Sequence, residues 1–458
     1  MSALPRSATL PLSGWGRCPV EECVVYRPER EAELAEIVAR APTQSVVSRG
    51  MGRSYGDASL NAGSGVMLHE RFDRFLDFDE ETATVSCEAN VTFSEIVDVL
   101  LPRGFFLPIT PGTKHISVGG AIAADVHGKN HHRDGTVSSQ LVDFRLLTGD
   151  GRVLTCSRDE NPDIFWATLG GMGLTGAILQ ARLRLRRVET AWVRQQVLRC
   201  ADLDQALERM LGEDAEFEYA VGWIDCLARG RSLGRSVLMR ANPASLADLP
   251  AERRSDPHRI SPPLPLTVPF ELPGLAINSL NMRIFNQGFW LAHPQRDVLT
   301  NFQSYFYPLD QVRHWNRIYG RRGVLQYQLV LPLETCRSGL VQVLERVAKS
   351  GRASFLAVLK STGPANESPL SFPIEGASLA LDFPNRGPDV LELLADLDRI
   401  LLAHGGRIYL AKDARLAPEH FREMYPELDR FREIKGKYDP DGRFSSSLGR
   451  RLGLVEGA

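Results

Sequence analysis

Gly171-Met172-Gly173-Leu174-Thr175-Gly176 has the spacing G-x-G-x-x-G, and its flanks decide the class of fold. In a dinucleotide-binding βαβ unit that spacing follows a strand and opens a helix, so that a pyrophosphate rests on the helix N-terminus. Here the order is reversed. Asn161-Pro162-Asp163 opens a helix carrying Ile164, Phe165 and Trp166, with proline at its first position. The glycines come after that helix, and the run from Ala177 to Leu185 reads as the strand that follows them. The segment is therefore expected as a loop passing close to a nucleotide, not as a Rossmann turn.

Upstream lie two more glycine segments. A short strand, Ser45 to Ser48, enters Arg49-Gly50-Met51-Gly52-Arg53-Ser54-Tyr55-Gly56-Asp57. Closely spaced glycines let backbone N–H groups converge on an anion that side chains would block. The second segment runs from Pro111 to Gly128, with Ser117 as a cap and Gly119-Gly120 opening a small-residue helix. A helix start of this kind suits a phosphate. Taken singly, the first also fits a tight surface loop and the second a close-packed core helix.

Helices and strands alternate around these loops. Glu29 to Ala41 has helical periodicity, Ala83 to Cys87 reads as a strand, and Thr92 with Glu95 forms a capping box for a helix towards Leu101. Asp150-Gly151 is a hairpin turn between Phe144–Leu147 and Arg152–Thr155. After about Val188 the glycine loops thin out. Eight prolines between Pro243 and Leu275 predict an extended or mobile segment without long helices. Strands follow at Leu325–Leu331, Ser354–Leu359 and Ser378–Phe383, with helices at Arg337–Lys349 and Val390–His404. From Glu419 one charged helix is expected up to Tyr438-Asp439-Pro440.

With 54 Lys+Arg against 56 Asp+Glu the chain lacks the basic excess of a general nucleic-acid binder. Its seven cysteines are scattered and odd in number, which predicts reduced thiols. No signal peptide is read near Met1, and no apolar run reaches the roughly 20 residues of a membrane span.

In this order, the three glycine segments resemble the FAD domain of the vanillyl-alcohol oxidase/PCMH superfamily. Within it the chain resembles, almost end to end, the decaprenylphosphoryl-β-D-ribose 2-oxidase family. The most specific motifs are His127-Gly128-Lys129-Asn130-His131-His132, Leu325-Gln326-Tyr327-Gln328, Asp382-Phe383-Pro384 and Ala411-Lys412-Asp413. The resemblance implies an α+β fold of two domains, a PCMH-type FAD-binding domain and an α+β substrate (cap) domain. Residues 1–190 would form the main FAD part, 191–405 the substrate domain, and 406–458 a segment returning to the FAD domain. It implies FAD held without a covalent bond. Many superfamily members tether the flavin through a histidine in the first loop or a cysteine near the second; this chain has Arg53 at the former and no cysteine from Gly112 to Leu147.

The implied reaction is oxidation of the 2-hydroxyl of a polyprenyl-phosphoryl-β-D-ribose to the 2-keto sugar. An NAD(P)H-dependent keto-sugar reductase would be the pathway partner, completing epimerisation to the arabinose. A lipid-linked substrate implies peripheral membrane contact on the cytoplasmic side. Two alternatives stand beside it: a flavin oxidase of free alditols or sugar lactones, and an FAD-carrying electron-transfer subunit.

The resemblance places Lys412 and His127 beside the flavin as catalytic residues, and Tyr55, Gln328 and Lys360 are the further catalytic candidates, as a polar wall around sugar hydroxyls and phosphate. It gives FAD binding to Arg49, Gly50, Met51, Gly52, Arg53, Ser54, Tyr55, Gly56, Asp57, Gly112, Ser117, Val118, Gly119, Gly120, Ala124, His127, Gly128, Gly173, Ile178 and Tyr409, with no metal. Lys412 is expected to end a strand, Arg407–Ala411. Alternation puts Gln326 on the face of Gln328. Trp223, and Trp315 with Tyr319, read as packing; Lys129 and Arg133 read as a solvated face that also suits a phosphate. The apolar residues between Pro243 and Phe289 (Leu264, Leu266, Val268, Phe270, Leu272, Leu275) are expected beside the entrance to the site.

Overall fold

The computed structural model describes residues 6–212, 216–260, 266–271, 278–352, 354 and 356–455. The fold is α+β, and its strands fall mainly into three sheets. The first has Ser7–Ser13 antiparallel to Val20–Tyr26, which continues in parallel to Gly65–Leu68 and Val46–Arg49. Helix Glu31–Arg40 buries Leu34, Ile37 and Val38 on it, against Tyr26, Val46 and Met67. The second sheet is antiparallel, in the order Phe75–Asp79, Thr84–Glu88, Ala177–Arg184, Leu141–Leu147, Val153–Cys156.

The third sheet has eight antiparallel strands, in the order Arg296–Asn301, Trp192–Cys200, Ser236–Pro243, Tyr219–Ile224, Ala357–Thr362, Gly376–Pro384, Val324–Pro332, Arg407–Ile408. Helices Cys336–Ser350 and Pro388–Ala403 pack beside one another and against the strand Val324–Pro332. Their apolar faces, Leu340, Val343, Val347 and Leu393, Leu397, Leu401, are buried.

Local signals transfer directly into this frame. Thr92 caps helix Phe93–Leu100, and Glu95 completes the capping box. Ser117 accepts from the amide of Gly120 at the start of Val118–Ala123. Helix Pro162–Thr168 precedes the third glycine loop, and strand Ala177–Arg184 follows it.

Other expectations are corrected. The strand containing Arg407 ends at Ile408, not at Ala411, and belongs to the eight-stranded sheet. The charged C-terminal helix is two helices, Pro418–Met424 and Leu428–Tyr438, separated at Tyr425-Pro426; a residue before proline is pushed out of the helical region. The proline-rich segment holds short 3-10 turns and a two-residue strand, Leu266–Thr267, paired with Val312–Arg313. Beyond it, Ser279–Ala292 is a helix of 14 residues. Leu264, Leu272 and Leu275 lie outside the described residues.

The return of the chain is built from polar contacts. Phe444 bridges Val46, and the Arg443 guanidinium donates to the carbonyls of Val38 and Thr43. Arg451 forms paired hydrogen bonds with Asp57, at 2.8 and 2.9 Å, and lies 2.9 Å from Asp413. Among the described residues no helix is long and apolar enough to cross a membrane, and no group of three His, Cys, Asp or Glu side chains is placed to hold a metal ion.

Candidate active site

All three glycine segments and the inner strands of the eight-stranded sheet border one cavity of about 910 Å³, within the usual size of a small-molecule or cofactor site. Its glycine-rich wall contains Gly50 to Tyr55, Gly112, Ser117, Gly119, Gly120, Ala124, Met172 and Gly173. A Cβ placed on Gly112 or Gly173 would meet nothing within 4 Å. Gly173 has φ +77 and Gly52 φ +60, the left-handed region in which glycine carries no steric penalty.

The opposite wall is polar and cationic. Gln326 and Gln328 project from Val324–Pro332, Lys360 from Ala357–Thr362, and Lys412 from a 3-10 turn, Leu410–Lys412. Lys412 therefore does not end a long strand, as expected, but sits in a turn whose Tyr409 amide donates to the Gln328 carbonyl at 3.0 Å. The Tyr55 amide donates to the Ala411 carbonyl at 2.9 Å, so the first glycine loop and this turn are locked together. Lys412 Nζ lies 4.2 Å from the centre of the Tyr55 ring.

His127 packs against Phe372 and Tyr409, with ring centres 5.5 and 5.2 Å away. Its Nε2 is 3.0 Å from the Gln328 amide nitrogen. The amide donates, so the imidazole is neutral with its proton on Nδ1. That Nδ1 is buried with no hydrogen-bond partner. Burial and the charges of Lys360 and Lys412 hold the His127 pKa well below its usual value. Burial pulls Lys360 down to about 8, and burial together with Lys360 pulls Lys129 down to about 7. Lys412 is also lowered, chiefly by burial, while Asp382 opposes the fall.

Two family models match parts of this chain. Residues 23–157 match a model described as an FAD binding domain, and residues 384–452 one described as D-arabinono-1,4-lactone oxidase. The chain is 37% identical to a decaprenylphosphoryl-β-D-ribose oxidase of Mycolicibacterium smegmatis, over 98% of each chain. The chain belongs to the decaprenylphosphoryl-β-D-ribose oxidase family. It is also similar to an L-gulono-1,4-lactone dehydrogenase of Mycobacterium tuberculosis, 22% identical over 96% of this chain and 98% of the other. An L-gulonolactone oxidase of Mus musculus is 28% identical over 35% of this chain and 36% of its own.

Members of this family are FAD-dependent oxidoreductases acting on sugar-like CH–OH groups, and so is this chain. FAD is its cofactor. The open space above Gly112 and Gly173 and the unpartnered Nδ1 of His127 fit such a group. Gly50 to Tyr55, Gly119, Gly120, Ala124, Ile178 and Tyr409 line the same space and are the residues that would hold it.

Not every residue assigned by resemblance reaches the cavity. Arg49 turns away and donates to the Ser13 carbonyl and the Ser59 hydroxyl. Asp57 is taken by Arg451. A Cβ on Gly56 would lie 1.9 Å from the Asp413 carbonyl, so this glycine admits the returning chain. Val118 is fully buried in the core, and Gly128 packs on Thr110 and Asn130.

Three readings of packing or solvation change. Lys129 is no solvated side chain: it lines the cavity, donates to the Tyr305 carbonyl and lies 4.3 Å from that ring's centre. Its neighbour Arg133 is exposed. Trp223 lines the cavity and lies 4.5 Å from Phe289, which stacks on His293 at 4.0 Å. Trp315 contacts Tyr319 as expected but also lines the cavity, 5.9 Å from Trp15. His69, His115, Tyr305 and Arg313 line it too, and no sequence motif singles them out.

Proposed function

We propose that this chain oxidises the 2-hydroxyl of a polyprenyl-phosphoryl-β-D-ribose to the ketone, the first half of an epimerisation to the arabinose. One observation carries the reading beyond the family: three lysines, Lys129, Lys360 and Lys412, border one cavity that also holds an apolar patch of Trp223, Phe285 and Phe289. A phosphate answers the cations, a prenyl tail the aromatic patch, and a hydroxylated ring the glutamines between them.

Bound FAD supplies the acceptor for the hydride that leaves the carbinol carbon. The protein does the rest. Gln328, Tyr55 and Lys412 orient the ring so that the reacting oxygen faces Lys412, which takes the hydroxyl proton as the C=O bond forms. Lys129 and Lys360 hold the phosphate, and His127, kept neutral by burial and the nearby lysines, would be among the residues that hold the flavin. An NAD(P)H-dependent reductase then returns the ketone as the epimeric alcohol.

Anaerobic mixing of the FAD-loaded protein with a polyprenyl-phosphoryl ribose tests this, with bleaching of the flavin expected. The match of residues 384–452 to a lactone oxidase model favours a second reading, oxidation of free alditols or lactones. Bleaching by those, and not by the lipid-linked sugar, would establish it instead. Bleaching by any of these excludes an electron carrier without substrate chemistry of its own, and bleaching by none removes both substrate readings.

Phosphate binding has a pH signature. Raising the pH through the values of Lys129 and Lys360, about 7 and about 8, removes ammonium charge. The affinity for a polyprenyl phosphate, whose own charge changes little there, is expected to fall by about tenfold from pH 7 to 9. Equilibrium binding showing constant or rising affinity would contradict the assignment.

FAD is bound without a covalent link. Position 53 carries an arginine, stacked 4.3 Å from the Trp15 ring centre, and no cysteine lines the cavity among the described residues. Acid or heat is expected to release all yellow colour; flavin fluorescence remaining with the denatured chain on a gel would refute this.

The lipid substrate also calls for contact with a membrane surface. Leu266 and Phe270 are exposed, as are Leu280, Ile284 and Leu291 of helix Ser279–Ala292, while Phe285 and Phe289 of that helix line the cavity. Replacing Leu280, Ile284 and Leu291 together by aspartate is expected to weaken liposome association and raise KM for the lipid substrate. Unchanged values of both would count against it.

A further inference from the structure

Asp382 belongs to the Asp382-Phe383-Pro384 motif, yet the reaction described above leaves it without a task. Its side chain is fully buried and lies behind the cavity wall, not on it. One carboxylate oxygen accepts from the Tyr319 hydroxyl at 3.1 Å, the other from the Gln326 amide. Gln326 stands opposite it in the strand register. The same amide nitrogen is 3.3 Å from the Tyr55 hydroxyl, and Tyr55 lies beneath Lys412. Gln326, Tyr55 and Lys412 all line the cavity. A buried carboxylate is costly unless hydrogen bonds and opposite charge answer it. Here the answering groups belong to the site.

We propose that Asp382 is a positioning residue: from behind the wall it fixes Gln326 and Tyr55 and supplies the negative charge that balances Lys412. The inference rests on the reading that Lys412 handles the hydroxyl proton. Among the described residues, the titratable and charged groups around the carboxylate come from four elements. Tyr319 comes from the turn Trp315–Tyr319, Tyr55 from the first glycine loop with Arg53, which acts on Tyr55, Lys412 from its own turn, and Lys360, which acts on Lys412, from the neighbouring strand. Burial raises the pKa of Asp382, against the pull of Gln326, Lys412 and Tyr319. Burial and Lys360 lower Lys412, and Asp382 alone among the acids named opposes them. Removing the carboxylate therefore leaves the lysine to lose its proton at lower pH.

Competitive labelling of the FAD-loaded protein with a small acylating reagent across pH, read on the Lys412 peptide by mass spectrometry, measures this amine without any substrate. In Asp382→Asn its titration is expected to move down by ~1 pH unit or more. The inflection that Lys412→Ala abolishes in the pH profile of flavin reduction should move with it, with kcat lowered more than KM. Tyr319→Phe removes one donor and lets Asp382 hold its proton to higher pH, so Lys412 should again titrate lower, by less. If Asp382→Asn does not retain FAD, Tyr319→Phe decides. A Lys412 titration unmoved in the folded variants overturns the proposal. A shift seen by labelling, together with no bleaching by the lipid-linked sugar, would retain the charge balance and discard the substrate reading.

Discussion

Lys412→Ala is expected to keep its FAD and lose turnover by about 100-fold or more, because it removes a group needed mainly in the transition state. The lysine lies in the cavity wall but outside the glycine-rich part that would hold the nucleotide, so cofactor retention and catalysis should separate. The residue is half-buried with its amine above Tyr55, and burial of the amine biases it towards the neutral form that accepts a proton. A methyl group in its place can neither accept the proton nor orient the hydroxyl. The decisive measurement is the rate of anaerobic flavin reduction at saturating substrate. A variant with full FAD content and near-normal reduction would remove Lys412 from the reaction. Loss of FAD itself would show that the turn Leu410–Lys412 is part of the cofactor cradle.

The second large effect is on stability. Arg451→Met is expected to destabilise the fold by about 3–5 kcal/mol, the range found when one partner of a buried ion pair is removed. Asp57 and Asp413 flank this guanidinium with side chains only 5% and 2% exposed; the Arg451 side chain is 25% exposed, which sets the lower end of that range as the expectation. Without it, two carboxylates face each other in a low-dielectric interior. Denaturant unfolding of the FAD-loaded protein measures the change, and Asp57→Asn in the Arg451→Met background should restore part of it. A midpoint equal to that of the parent chain would show that the cluster contributes no net stability.

What was legible in the sequence follows the range of the interactions involved. The capping box of Thr92 and Glu95, the cap at Ser117 and the reversed order around Gly171 are set by neighbours within a few residues, and each is found as read. The alternation that put Gln326 and Gln328 on one face also held, since both line the cavity. The misreadings come from contacts across hundreds of residues. Asp57, within a glycine loop, looks like a cofactor ligand until Arg451 arrives. Lys129 looks solvated until the ring of Tyr305 covers it. The short strand before Lys412 could not be anticipated because the chain leaves the sheet at Tyr409, whose hydroxyl donates to the Ala124 carbonyl. The break at Pro426 was the exception: its signal is local, and charge periodicity on both sides masked it.

The joining of the first glycine loop to Ala411, Asp413 and Arg451 has a consequence for the order in which the protein can be made. Residues 48–57 leave the ribosome early and meet Ser13, Trp15 and Gly16 at once, but Ala411, Asp413 and Arg451, which also seat them, are translated after all eight strands of the largest sheet. A nascent chain thus carries its first glycine loop with only part of its scaffold throughout most of synthesis. Flavin capture is expected to be a late event, and a ribosome-bound chain stalled before residue 410 should not retain it.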